Sequence, residues 1–206
     1  MSSTTKAPWK FFANNGKERR IWFTADQHHG HANIIEYCNR PFNDFVEMDT
    51  QLIRRYNSIV QKEDLCYFIG DFSLRAARHR YYYEDLLRRY NGTKVLIAGN
   101  HDPCKIHTYV EMGFRSIHSS FETVIDDVDV VMAHDPAISV IDRSVLFLCG
   151  HVHDLFVTQK NAINVGVDIW NYFPVSWDQI KMILEDKMIA PMNAKPYKGE
   201  VILNGV

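Results

Sequence analysis

The sequence predicts an α/β domain, on three observations. Short apolar runs that read as buried strands alternate with segments of helical periodicity through the first half of the chain. Several of these runs stop abruptly at a polar side chain able to bind a metal ion. The length of 206 residues, at 46% apolar and 23% charged, suits one globular core. No repeat, linker or low-complexity block divides the chain, so a single domain is expected over 1–206, with a flexible polar tail at 1–9.

The elements follow in order. Asn14-Asn15-Gly16 is a hairpin-like turn between 10–13 and 19–25. Ile21 to Ala25 is an apolar, aromatic strand. Ala32 to Cys38 forms a short helix that ends before Arg40-Pro41, because the residue preceding proline disfavours the helical region. Asp44 to Gln61 carries Phe45, Met48, Leu52, Ile53, Tyr56, Ile59 and Val60 at helical spacing, with Asp44 as its cap. Leu65 to Ile69 is a second strand. A Tyr-rich basic helix is expected from about Ser73 to Tyr90, and Val95 to Ala98 is a third strand. Pro103 to Met112 reads as a short helix with Gly113 past its end. Phe121 to Ile125 and Val128 to Ala133 form a hairpin around Asp126-Asp127. Val145 to Cys149 is a further strand, and 156–167 a strand pair around Lys160-Asn161. Ser176 to Asp186 is a helix with a capping box formed by Ser176 and Gln179, and Val201 to Leu203 reads as a last strand.

Composition excludes some functions. A net charge of −2 gives no global basic field, so stable binding of duplex nucleic acid is not expected. No apolar run is long enough to span a bilayer, and Met1 to Lys10 lacks the apolar segment of a signal peptide. A cytoplasmic protein is expected. Cys38, Cys66, Cys104 and Cys149 show no Cys-x-x-Cys spacing, which points to reduced thiols without a zinc knot.

The chemistry sits where strands end. Five times an apolar run stops at a ligand-type cluster: Asp26-Gln27-His28, Gly70-Asp71, Gly99-Asn100-His101-Asp102, His134, and Gly150-His151-Val152-His153. Functional groups of α/β sheets gather beyond the carboxyl ends of strands. Asp26 and His28, spaced i, i+2 on an extended segment, would point to the same side. Two carboxylates, one amide oxygen and four imidazoles exceed what one tetrahedral ion takes, but suit two divalent ions that share a carboxylate. Gly70, Gly99 and Gly150 each precede a ligand and permit close backbone approach. Singly, each cluster reads equally well as a turn or surface group; jointly those readings need five coincidences in one order.

This series, in this order, resembles the calcineurin-like metallophosphoesterases over roughly residues 20–170. His29-Gly30-His31-Ala32-Asn33-Ile34-Ile35 and Cys38-Asn39-Arg40-Pro41-Phe42 look like the small bacterial and phage branch of predicted phosphoesterases, which implies a compact catalytic domain without a cap. The resemblance implies a four-layer α/β/β/α sandwich with two mixed β-sheets. It implies that Asp26, His28 and His153 hold one divalent ion, Asn100, His134 and His151 a second, and that Asp71 bridges them. His101 would stand near the substrate as proton donor, oriented by Asp102. Gln27 departs from the small or apolar residue common at that position. Manganese is the first expectation for the ions; iron, zinc, nickel and cobalt suit the same donors.

Around this centre, His31, Arg75 and Arg40 are candidate substrate contacts, and Arg143 a weaker one. His29 reads as structural or exposed. The arginines of 75–89 and Tyr81, Tyr82 and Tyr83 read as phosphate steering and stacking, or as a solvated helix face with tyrosines on the core, the latter slightly favoured. Trp170, Tyr172 and Phe173 fit a base-binding wall, core or a dimer contact equally, and a homodimer is a further expectation. The leading function is hydrolysis of a small nucleotide-like phosphodiester, such as a 2′,3′-cyclic nucleotide, by a metal-activated water. A phosphomonoesterase, protein phosphatase or nuclease would use the same centre. A non-catalytic metal-binding scaffold should have lost ligands or His101, and none is missing.

Overall fold

A computed structural model of the chain describes residues 19–74, 79–102, 106–137 and 145–185. The turn expected at 14–16, the strand at 201–203, Arg75, Arg143 and Cys104 lie outside the described residues.

The first sheet holds β1 (Ile21–Thr24), β2 (Leu65–Ile69), β3 (Thr93–Ile97), β4 (Ser116–His118) and β10 (Val175–Ser176), in the order β10-β1-β2-β3-β4. β1 to β4 are parallel, and β10 runs antiparallel on the β1 edge. The second sheet holds β5 (Phe121–Ile125), β6 (Val128–Met132), β7 (Leu146–Cys149), β8 (Thr158–Gln159) and β9 (Ala162–Asn164), in the order β5-β6-β7-β9-β8. Its centre, β6-β7-β9, is parallel and its edges are antiparallel. Both sheets are therefore mixed, and helices flank them: α1 (Asn33–Tyr37), α2 (Phe45–Ile59), α3 (Arg80–Arg89), α4 (Ile106–Met112) and α5 (Trp177–Leu184).

Strand alternation sorts the core into layers. Phe23, Leu65, Tyr67, Ile69, Val95 and Ile97 face the second sheet, where they meet Met132, Leu148 and Ile163, joined by Trp177 and Ile180 of α5. Their neighbours Trp22, Cys66, Phe68 and Leu96 face the other way, onto Ile53 and Tyr56 of α2, Leu86 and Leu87 of α3, and Met112 of α4. A strand buried on both faces reads as an unbroken apolar run, which is how β2 appears in the sequence.

The helix caps work as the sequence suggests. Asp44 accepts a hydrogen bond from the Glu47 amide (2.8 Å), and Ser176 and Gln179 form the full capping box of α5. Asp126 and Asp127 turn the β5–β6 hairpin with φ of 47° and 65°, the left-handed pair such a turn requires. The start of α3 and two edge strands differ from expectation. α3 begins at Arg80 rather than near Ser73, because Phe72 and Ser73 are held by the loops of the site: His29 donates its amide to the Phe72 carbonyl, and the Ser73 amide donates to Asp102. The short edge strands β4 and β10 have too few residues to show a pattern. No helix among the described residues is long and apolar enough to cross a membrane.

Candidate metal centre

The expected ligands collect past the carboxyl ends of β1, β2, β3, β6 and β7, where the two sheets meet. Ala25 pairs in parallel with Gly166, and Val167 donates to the Ala25 carbonyl (3.0 Å). The Asp26 and His28 amides donate to the carbonyls of Gly70 (3.0 Å) and Asp71 (2.9 Å). The backbone is not extended here, contrary to the i, i+2 reading. Asp26 (φ 61°), His28 (52°), Asp71 (54°), His151 (72°) and His153 (48°) are all left-handed. Residues with a Cβ rarely adopt this conformation, and a run of them at one place marks a functional constraint. The turns, not strand alternation, bring these side chains together.

Gly70 needs its freedom twice: its φ is +85°, and a Cβ would strike the His134 ring and lie 2.8 Å from Gly99 Cα. At Gly150 the reason is space, since a Cβ would lie 2.7 Å from Asp26 Oδ2.

Among the described residues the expected ligands form two donor sets. Asp26, His28 and His153 present ligand atoms within 4.8 Å of one another, as do Asp71, His134 and His151. Asn100 Oδ1 joins the second set, 3.1 Å from His134 Nε2 and 3.0 Å from His151 Nδ1. Asp71 Oδ2 stands between the sets, 3.5 Å from His28 Nε2 and 3.2 Å from His134 Nε2. His101 Nε2 lies 3.9 Å from the same oxygen, half exposed at the mouth.

The donor chemistry fits cations. His28 is 1% exposed, yet neither ring nitrogen has a hydrogen-bond partner. An unsatisfied buried imidazole is costly, and a cation is what its lone pair suits. Burial drives its pKa down to about 2, so it stays neutral and able to ligate. His134 Nδ1 lies 2.9 Å from the Ile69 carbonyl; donating there, it turns Nε2 toward Asp71 and Asn100. Burial also pushes the Asp26 carboxyl up, against the pull of His134 and His153. At Asp71 burial is outweighed by the bond and charge of His134 and by the His101 amide, which hold it down near 2. Burial would lower His134, but its bond to Asp71 and the charge of Asp26 lift it to about 9. The carboxylates of the centre thus hold a proton on His134, while burial keeps His28 neutral.

Of the other residues singled out in the sequence, Arg40 departs from expectation. Arg40 is not a substrate contact: it is 4% exposed, with its guanidinium 2.8 and 2.9 Å from the Asp168 carboxylate and hydrogen bonds to the Asp26 (2.7 Å) and Gln27 (2.9 Å) carbonyls. Asp168, missed in the sequence, also lies 2.8 Å from His153 Nδ1. That bond, against burial, lifts His153 to about 10. The Asp102 carboxylate receives the Gly99 (2.9 Å) and Ser73 (3.3 Å) amides and the Tyr109 hydroxyl (3.1 Å), so it shapes the loop that presents His101. Burial, outweighing these bonds, raises it to about 6. His29 is structural: fully buried, it bonds Asp49 and Tyr90, each at 2.8 Å. His31 faces the cleft, its ring 5.6 Å from His28 and 6.4 Å from His101. Gln27 turns away from the donors and bonds Thr24. Trp170 and Tyr172 are core, and Tyr81 is solvent-exposed, whereas Tyr82 and Tyr83 bond Asp49 and the His29 carbonyl.

Comparison with known proteins agrees with this geometry. The chain is 35% identical over 187 residues to an uncharacterized protein of Methanocaldococcus jannaschii, covering 85% of this chain and 97% of that one. It is 25% identical to the Gene 66 protein of Mycobacterium phage L5, covering 77% and 91%. Among solved structures, a protein of unknown function from Aquifex aeolicus superposes with a TM-score of 0.65 at 21% identity, over 81% of this chain and all of that one, and so shares the fold. The family model described as calcineurin-like phosphoesterase matches residues 19–202, a span that takes in both donor sets and every strand that presents them. The chain therefore belongs to the calcineurin-like phosphoesterases, metal-dependent hydrolases of phosphate esters.

Proposed function

We propose that the protein binds two divalent ions, manganese foremost, and hydrolyses a small nucleotide-like phosphodiester, a 2′,3′-cyclic nucleotide being one such substrate. The observation that carries this reading is the position of Asp71 Oδ2, within 3.5 Å of His28 Nε2 and 3.2 Å of His134 Nε2, where one carboxylate can serve both donor sets. Asp26, His28 and His153 would hold one ion, Asn100, His134 and His151 the other. When bound, the ions supply Lewis acidity that polarises the phosphoryl group and acidifies water.

The chain's own groups do the rest. His101 stands half exposed beside Asp71, where its Nε2 can hand a proton to the leaving oxygen. Its backbone is fixed by the hydrogen bond that its amide donates to Asp71 Oδ1 (2.9 Å), and the loop beneath it by Asp102. The wall at His31 and the exposed ring of Tyr37, 6.3 Å apart, offer faces to a flat substituent. A chain without a basic field suits a small substrate better than a duplex. The test is hydrolysis of bis-p-nitrophenyl phosphate against p-nitrophenyl phosphate with added manganese, followed by a panel of cyclic nucleotides and oligonucleotides. Faster turnover of the monoester sinks the diester reading.

A further inference from the structure

We infer that the buried Arg40–Asp168 pair is a positioning device for one ion of the two, the one held by Asp26, His28 and His153. This rests on the two-ion reading above. Arg40 reaches both arms of that donor set. Two of its nitrogens bond the carbonyls of Asp26 and Gln27, which flank the turn between ligands Asp26 and His28. Its Nε and Nη2 grip the two oxygens of Asp168, and Asp168 Oδ2 lies 2.8 Å from His153 Nδ1. The bond to Asp168 sets which face of the His153 ring turns toward the donor set, and makes that ring a stronger donor.

The segments that this unit joins are far apart in sequence, Arg40 and Asp168 being 128 residues distant. Asp26 and His28 leave β1 in left-handed turns that strand pairing alone does not hold. A planar, permanently charged fork can hold two carbonyls and a carboxylate together; a lysine cannot. Asn164 completes the support by donating to the His153 carbonyl (2.8 Å). Two ligands of the other donor set have supports of their own, His134 in the Ile69 carbonyl and Asp71 in the His101 amide; His151 is tied to the first set only through its amide, which donates to the Asp26 carboxylate.

The inference is tested by manganese binding to the full chain, by calorimetry and elemental analysis. Single variants of Arg40 or Asp168 would leave a buried charge unpaired, so the main variant is Arg40→Met/Asp168→Asn, which removes both charges; Arg40→Lys is the conservative companion. Two backgrounds separate the ions: Asn100→Ala leaves the Asp26–His28–His153 set intact, and His28→Ala leaves the other. The expected result is a loss of manganese affinity of about 10- to 100-fold in the Asn100→Ala background, a smaller loss with Arg40→Lys, and unchanged affinity in the His28→Ala background. Equal losses in both backgrounds, or none in either, overturn the inference. So does failure of the double variant to fold, which would place the pair's role in the core. A wild-type protein that binds no manganese would instead refute the two-ion reading itself.

Discussion

Gly70→Ala joins backbone strain to a collision with the site. A residue with a Cβ held at a φ of +85° costs about 1–2 kcal/mol. The new methyl would also strike the His134 ring and meet Gly99 Cα at 2.8 Å, and such overpacking costs about 1–3 kcal/mol. Neither neighbour yields easily: the ring is fastened to the Ile69 carbonyl, and the other obstacle is backbone. Together these give about 2–5 kcal/mol, or a fall in Tm of about 4–20 °C for a chain of this size. Gly92→Ala is the control. It carries a similar strain, with φ +78° and a Cβ 2.8 Å from the Asp64 carbonyl, but touches no donor. Both variants should lower Tm by thermal denaturation followed by circular dichroism; Gly70→Ala alone should also lose at least about tenfold in manganese affinity, because His134 must move. A Gly70→Ala protein with Tm within about 2 °C of wild type, or with manganese binding no weaker than that of Gly92→Ala, would refute the reasoning.

Three further outcomes are expected. His101→Ala should lower kcat by about 10²- to 10⁴-fold while metal content by elemental analysis stays unchanged; loss of metal would make His101 a ligand instead. Asp168 is held down to about 2, burial being outweighed by Arg40 and His153, so its stabilising contribution is present above its ordinary pKa and is lost as pH falls from about 4 toward 2. Urea denaturation of the metal-free protein across that window should show a steeper loss for wild type than for Arg40→Met/Asp168→Asn, and parallel profiles would count against it. Ser176→Ala removes the acceptor for the Gln179 amide (3.2 Å) and should cost about 1 kcal/mol, read as a drop in Tm of about 2–4 °C.

The candidate donors were legible because each is a chemistry-bearing residue at the abrupt end of an apolar run, and the runs fix where those ends lie. Leu65–Ile69 and Phe121–Ile125 match the observed strands residue for residue. The means of convergence was not legible: left-handed geometry at Asp26 and His28 leaves no mark in residue types that are ordinary in turns. Arg40 looked like a substrate contact because an arginine near a phosphate site usually is. Its partner Asp168 is 128 residues away, and no local pattern reports a pairing at that range. A signal for Asp168 did exist, since Val165-Gly166-Val167 is one more apolar run stopping at an acid. The edge strands β4 and β10 leave no pattern in the sequence, because strands of three and two residues are fixed by their neighbours rather than by their own residues.

The junction of the two sheets at Ala25 and Gly166 has a dynamic consequence. At this end the Val167 amide bonds the Ala25 carbonyl, and the His151 amide bonds the Asp26 carboxylate at 3.0 and 3.1 Å. The sheets resemble two covers sewn along one spine, and the donors are the stitching. An ion held by Asp26 from one cover and His153 from the other, as proposed, would work as a rivet through that spine. Amide hydrogen exchange at His28, His151 and Val167 should therefore slow on manganese binding, while the far margins at β4 and β8 keep their metal-free rates.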